Sequence, residues 1–249
     1  MELKDFFIEN PKAALAFSGG VDSAFLLWAA KRYGAQVKAY FVKTHFQPQF
    51  ELDDAVRLAK HLDADLAIIE TDVLRQENIA ANPVNRCYYC KRHILRQIRR
   101  AADMDGFSLL IDGTNASDDV LDRPGMQALR EEQVRSPLRE CGLTKTQIRS
   151  LSREAGLFTH DKPAYACLAT RIPAGVRITP EDLQRTERSE AYLRELGFSD
   201  FRIRLMGNSA KLQVRENQLA RLLGCRQQIV DRLRSDYREV LLDMEVRHE

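Results

Sequence analysis

Residues 13–23 read AALAFSGGVDS: an apolar run from Ala13 to Phe17 ends on Ser18-Gly19-Gly20-Val21-Asp22-Ser23 and leads into an amphipathic stretch. A short buried strand, a glycine turn and a helix start follow one another in that order, and the order decides the fold. Two glycines let the backbone turn its amides toward an anion, Ser18 and Ser23 add hydroxyl donors, and the helix start brings unpaired N–H groups with partial positive charge. The loop is expected to hold a phosphate. It lacks the Gly-Lys-Ser/Thr ending of a P-loop and the spaced glycines of a dinucleotide fold. Asp22 would repel a phosphate unless a divalent cation lies between them, which points to magnesium. The alternative is a glycine turn in which Asp22 only caps a helix.

Outward from this loop, short apolar runs alternate with longer amphipathic ones. A helix from Asp22 to about Tyr33 precedes VKAYFV at 37–42, a helix around 51–62 precedes DLAIIE at 65–70, and a helix around 90–103 precedes SLLID at 108–112, which ends in GTNASDD. Strand, helix and strand in repetition predict parallel strands with right-handed crossovers. The fold class is therefore α/β, a doubly wound parallel sheet, whose ligands lie beyond the carboxyl ends of the strands. From Gly175 the pattern changes. A helix near 180–196 precedes FRIRLMGNSAKLQVR, two alternating runs split by Gly207, Asn208 and Ser209, and REVLLDMEV closes the chain as a strand. This predicts a smaller C-terminal α+β domain at 173–249 behind a nucleotide-binding domain at 1–172, with Pro173 and Gly175 marking the break.

The chain has 249 residues, 44% of them hydrophobic, enough to bury a real core. Its 38 Lys+Arg nearly cancel its 36 Asp+Glu, so no overall field draws nucleic acid or an anionic membrane. No apolar run approaches the roughly 18 residues that span a bilayer, and MELKDFFIENPK carries acids where a signal peptide is apolar; a cytoplasmic protein is expected.

Five cysteines form an odd set without a secretion signal, which favours metal or thiol chemistry over disulfides. Cys141 and Cys225 have the surroundings of small structural hydrophobes. Cys87 and Cys90 are separated by two tyrosines at the start of a helix, at metal-ligand spacing, and the helix N–H groups with Arg86, Lys91 and Arg92 favour thiolates there. Cys167 follows far along the chain in PAYACLATRIP. Two plus one leaves a tetrahedral zinc site short of a ligand, with His93 or His160 as candidates for the fourth. A 4Fe-4S cluster on three thiolates would instead leave one iron open.

SGGVDS after a first strand resembles the PP-loop ATP pyrophosphatases, a HUP-like, Rossmann-type fold whose members split ATP into AMP and pyrophosphate. By that resemblance Ser18, Gly19, Gly20, Asp22 and Ser23 cradle the pyrophosphate end of ATP, the segment from Phe41 to Thr44 holds the adenine side, and Asp112, Thr114, Asn115 and Asp118 reach nucleotide or magnesium. A plain Asx turn at Asp112 and Asn115 is the alternative. NRCYYCK, the phosphate loop, VRSPLRECGLTKTQIRSLSREAGL and KPAYACLATRIPAG together resemble the LarE family of sulfur transferases over nearly the whole chain. The resemblance implies adenylation of a carboxylate of pyridinium biscarboxylic acid mononucleotide and its conversion to a thiocarboxylate for the nickel pincer cofactor. It implies ATP, magnesium, a 4Fe-4S cluster on Cys87, Cys90 and Cys167, a sulfide donor and a homo-oligomer. It also implies that Glu190 acts as a base near Cys167, against the alternative of a solvated charge. Arg171, Arg202 and Arg204 are expected to pair with the substrate's phosphate and carboxylates. A tRNA thiolase, an amide ligase and a zinc-stabilised nucleotide-binding module remain as alternatives. The basic helix KRHILRQIRR at 91–100 is the one nucleic-acid candidate, and a solvated face explains it as well.

Overall fold

A computed structural model describes residues 2–118 and 124–247. The chain divides into two compact units, one made of 1–73 and 85–162, the other of 74–84 and 163–249.

In the first unit α1 (Leu3–Glu9) leads to β1 (Lys12–Ala16), α2 (Val21–Arg32), β2 (Gln36–Lys43), α3 (Gln49–His61) and β3 (Asp65–Glu70). After α4 (Glu77–Ala80), which belongs to the other unit, come α5 (Arg86–Met104), β4 (Leu110–Asp112), α6 (Pro124–Glu131), α7 (Pro137–Glu140) and α8 (Lys145–Glu154). The strands form one sheet in the order β3-β2-β1-β4, every pair parallel. Both faces are covered, as the continuous apolar run of β1 demands. Ala13 and Leu15 face a core with Phe6, Phe25, Leu26 and Ile148, whereas Ala14 and Tyr40 face Leu95, Ile98 and Ala102 of α5 with Leu129 of α6. Those three α5 residues recur at helical spacing, so one stripe of an otherwise charged helix is buried. This is the expected PP-loop type of α/β fold.

The sheet order fixes where a ligand belongs. The chain steps outward from β1 to β2 to β3 and then returns to the other side of β1 as β4, so the direction of winding reverses between β1 and β4. Ala16 is in register with Asp112 there, and the loops after both strands open at the same level. A reversal of this kind leaves a crevice at the carboxyl ends of the two strands.

The second unit contains α9 (Pro180–Glu195), β5 (Arg202–Met206), β6 (Ser209–Gln213), α10 (Leu219–Gly224), α11 (Arg226–Leu233) and β7 (Glu239–Leu242). Thr179 Oγ1 accepts from Asp182 N at 3.1 Å and Pro180 follows as the first helical residue, a cap that starts α9 one turn after the loop. β5 and β6 are an antiparallel hairpin across Gly207 and Asn208, and β7 adds in parallel beside β6. The excursion 74–84 is sewn into this unit: Ile178 N donates to Ala80 O and Gly175 N to Asn82 O, both at 2.8 Å, and Asn82 Nδ2 donates to Pro173 O at 2.9 Å. Arg177 closes a bidentate pair with Glu77 at 2.6 and 2.9 Å. Among the described residues no helix is long and apolar enough to cross a membrane.

Candidate active site

The phosphate loop is built as its residues dictate. Gly19 turns the chain at φ +70°, and Gly20, extended at φ −80°, becomes the N-cap of α2. Ser23 folds back over the turn: its Oγ donates to Gly20 O at 3.2 Å and lies 3.1 Å from Ser18 Oγ, while Ser18 N donates to it at 3.3 Å. The two hydroxyls thus brace the loop and stand beside its amides. Asp22 falls in the first turn of α2, where the helix dipole favours a carboxylate.

The loop after β4 meets this turn at contact distance. A Cβ on Gly113 would lie 2.8 Å from Ser23 N, so only glycine allows the approach. Asp112, buried at the strand end, accepts from Thr114 N at 3.2 Å, from Thr114 Oγ1 at 2.6 Å and from Ser136 Oγ at 2.7 Å. Asn115 Oδ1 accepts from Ser117 N at 2.8 Å, its own N–H donates to Asp118 at 3.0 Å, and its Nδ2 donates to Asp22 Oδ1 at 3.3 Å. Both Asx turns are therefore formed, and Asn115 also ties the loop to Asp22. Asp119, the last residue of GTNASDD, lies outside the described residues.

Two lysines complete the loop, and neither stood out in the sequence. Lys145 Nζ lies 2.5 Å from Asp22 Oδ2, and Lys162 Nζ donates to Gly19 O at 3.3 Å while pairing with Asp54 at 2.9 Å. Phe41 lies inside β2, not after it, and belongs to the hydrophobic core. Thr44 is buried with its hydroxyl in a turn, donating to Gln47 Oε1 at 2.7 Å and accepting from Phe46 N at 2.9 Å.

Cys87 and Cys90 lie on the first turns of α5, three apart and hence on neighbouring positions of one helix face. Arg86 is buried at the helix start and its Nη2 donates to Cys87 Sγ at 3.4 Å. His93 shares a hydrogen bond with Thr71 at 3.1 Å, and burial, with Arg100 nearby, pulls its pKa below the usual imidazole range. His160 Nδ1 lies 3.0 Å from Leu157 O. Among the described residues no group of three His, Cys, Asp or Glu side chains gathers as a metal site. Cys141 packs against the first unit's core, and burial pushes its thiol pKa up, in line with a structural role. Part of the basic face of α5 is engaged within the unit: Arg92 and Arg96 share Glu132 at 3.2 and 2.8 Å, and Arg99 donates to the carbonyls of Ser108 and Glu132.

In the second unit Cys167 is the N-cap of a 3-10 turn, Leu168–Arg171. Arg171 and Glu190 lie beneath it, both sealed from water. Arg171 Nε and Nη2 donate to the two Glu190 oxygens at 2.7 and 3.1 Å, and Nη1 donates to Ala166 O at 2.9 Å and to Thr170 Oγ1 at 2.7 Å. Glu190 also accepts from Tyr165 OH at 2.6 Å and from Ile203 N at 3.1 Å. Burial first, and the Glu190 carboxylate second, push the Tyr165 phenol far above its ordinary pKa. Glu190 is thus no solvated charge, because every oxygen it has accepts two hydrogen bonds inside the unit. Arg171 is equally engaged. Arg202 is buried, donating to Phe201 O at 2.6 Å and Ala164 O at 3.0 Å, and desolvation with the Arg171 and Arg247 charges pulls its pKa down to about 10. Arg204 is half-buried and loosely held, with Thr170 O at 3.3 Å and Gln213 Oε1 at 3.5 Å. Gln213 also lines a hollow of about 560 Å³ with Met244, Glu245, Val246 and Arg247. Of the three arginines, Arg204 is the one placed to meet a ligand without breaking a buried network.

Comparison with known proteins adds what geometry alone does not. A family model described as queuosine biosynthesis protein QueC matches residues 12–84, the stretch with the phosphate loop. An uncharacterised protein of Synechocystis is 39% identical over 220 residues, 87% of this chain and 81% of that one. The pyridinium-3,5-bisthiocarboxylic acid mononucleotide synthase of Lactiplantibacillus plantarum, a LarE enzyme, is 30% identical over 236 residues, 94% of this chain and 86% of the synthase. The chain belongs to the LarE family. As a LarE-family protein it is an ATP-using sulfur transferase built on a PP-loop domain. A tRNA-specific 2-thiouridylase of Pseudothermotoga lettingae shares 26% identity over 190 residues, 61% of this chain and 54% of that enzyme, so the tRNA thiolase likeness is the partial one.

Proposed function

We propose that this protein adenylates a carboxylate of pyridinium biscarboxylic acid mononucleotide and replaces one of its oxygens with sulfur, in the pathway to the nickel pincer cofactor. The observation that carries the reading is 30% identity, over 94% of the chain, to a synthase named for the bisthiocarboxylate product. The likeness to a tRNA thiouridylase covers only 61% of the chain, and Arg92, Arg96 and Arg99 of α5 are engaged within the unit, which favours this small substrate over a nucleic acid.

The substrate carboxylate attacks the α-phosphorus of ATP and pyrophosphate leaves. Ser18, Gly19, Gly20 and Ser23 hold the leaving pyrophosphate by amides and hydroxyls at the β1–β4 crevice, where charge develops in the transition state. Asp22, held by Asn115 Nδ2 at 3.3 Å, would hold magnesium there, and the ion would supply positive charge to the phosphates. The backbone at the end of β2, from Phe41 to Thr44, borders the adenine, and Asp112 with Thr114 keeps the facing loop in shape. Arg204 meets the substrate phosphate, while Arg171 and Arg202 stay in the buried hydrogen-bond network. Sulfur then attacks the adenylated carbonyl carbon, and AMP departs with the oxygen.

Three thiolates suit a cluster with one open iron, whereas a structural zinc site takes four protein ligands. Cys87, Cys90 and Cys167 would hold such a 4Fe-4S cluster, which supplies an open iron able to carry sulfide. Glu190 serves by fixing Arg171, whose guanidinium grips the carbonyl next to Cys167.

Product chromatography tests the first half: AMP and pyrophosphate are expected, and ADP as the main product would sink it. Iron and labile-sulfide analysis after anaerobic purification tests the second. Cys87→Ala, Cys90→Ala and Cys167→Ala should each lose the iron chromophore and thiolation while still adenylating. Conversion of Cys167 to dehydroalanine on turnover would overturn the cluster.

A further inference from the structure

Lys145 stands where helix electrostatics disfavours a lysine. It is the first residue of α8, at the positive end of the helix, and the first turn holds no acidic residue to balance it. Its backbone is pinned. Thr144 and Gln147 form a reciprocal capping box, Lys145 N donates to Ser117 Oγ at 3.0 Å, and Ala116 N donates to Leu143 O at 2.8 Å. α8 therefore starts at a fixed place beside the loop that follows β4, and from there the Lys145 side chain spans to Asp22. A local rule broken by a rigidly placed residue on the rim of a ligand crevice marks function more than stability.

The two lysines of the phosphate loop differ in how they are held. Lys162 is 14% exposed at its side chain and has two partners, one of them the loop's own carbonyl at Gly19. Lys145 is 35% exposed at its side chain, and its ammonium rests on a carboxylate. That carboxylate lies among the amides that receive the anion, so an incoming phosphate and Asp22 compete for the same positive ends. A magnesium ion on Asp22 Oδ2 would compete with the Lys145 ammonium for that oxygen. The ammonium released when magnesium takes the carboxylate is then a cation beside the phosphate loop with no partner in its place.

We propose that Lys145 is a phosphate-binding residue of the adenylation site, held in reserve by Asp22 and passed to the pyrophosphate moiety of ATP when magnesium engages the carboxylate. The proposal rests on the assignment of Ser18–Ser23 as the pyrophosphate site. Calorimetric titration of the full chain with inorganic pyrophosphate, ATP and AMP, each with EDTA and then with magnesium, tests it. Lys145→Met should weaken pyrophosphate and ATP binding about tenfold and leave AMP binding unchanged, and Lys145→Arg should restore most of the loss. Asp22→Asn frees the lysine and removes the repelling carboxylate, so it should tighten pyrophosphate binding in EDTA and erase the further gain that magnesium brings.

A static pair that merely ties α8 to α2 makes the opposite forecast: both variants lose melting temperature and keep wild-type pyrophosphate affinity, which would overturn the proposal. Should Lys145→Met fail to fold, Asp22→Asn decides, since equal or weaker binding in EDTA refutes the exchange. Failure of the wild-type protein to bind either pyrophosphate or ATP would instead remove the phosphate-loop assignment itself.

Discussion

Arg171 and Glu190 are both closed off from water, yet the carboxylate accepts four hydrogen bonds and the guanidinium is spent on that carboxylate and on the turn that follows Cys167. A buried pair adds little net stability over apolar groups of the same shape, but loss of one partner strands the other. Glu190→Gln should therefore lower the unfolding free energy by about 3–5 kcal/mol in denaturant titration, whereas the double change Glu190→Met with Arg171→Met should recover much of it. Additive losses would mean that the two residues act separately. Tyr165→Phe removes one donor to Glu190 and leaves its ring beneath Arg171, so about 1 kcal/mol is expected from the same measurement.

Among the elements, the first turn of α2 and the end of β4 are fitted to each other without a spare ångström. Gly113→Ala puts a methyl group against the backbone of Ser23, which has no side chain to swing aside. Overpacking of this kind costs about 1–3 kcal/mol and displaces the turn that carries Ser23, so the KM for ATP should rise about tenfold alongside a lower melting temperature. An unchanged KM would detach the loop after β4 from nucleotide binding. β1, the SGGVDS turn and DLAIIE could be read directly, because a strand and a glycine turn at a helix start each leave a local pattern of a few residues. Lys145 and Lys162 could not, since they reach the loop from well over a hundred positions away and carry no pattern of their own. The burial of Glu190 was hidden for a related reason: α9 is polar on most of its length, and only Tyr165, Arg171 and Ile203 from three other segments make one of its acids a core residue.

At the scale of the whole molecule, chain order and spatial grouping disagree at 74–84. Asn82 is the clasp: it is buried, adopts φ +53°, and spends its side chain on the carbonyls of Ile172 and Pro173. Asn82→Ala loses these bonds and strains a left-handed backbone position, so destabilisation of about 2–4 kcal/mol is expected by thermal unfolding. Asn82→Gly keeps the backbone at ease and should lose only the hydrogen-bond share; equal losses in the two variants would mean that φ carries no strain.

The clasp also limits how such proteins can exchange parts over evolutionary time. A recombination that joined two relatives at the apparent seam after Lys162 would inherit residues 74–84 from one parent and the receiving stretch 172–178 from the other. Glu77 would then have to find its arginine, and Asn82 its two carbonyls, in a sequence that had not drifted together with them. Crossovers that keep 74–178 from a single parent avoid that mismatch, so viable chimaeras between relatives should carry their breakpoints outside this span even though it contains the visible boundary between the two halves.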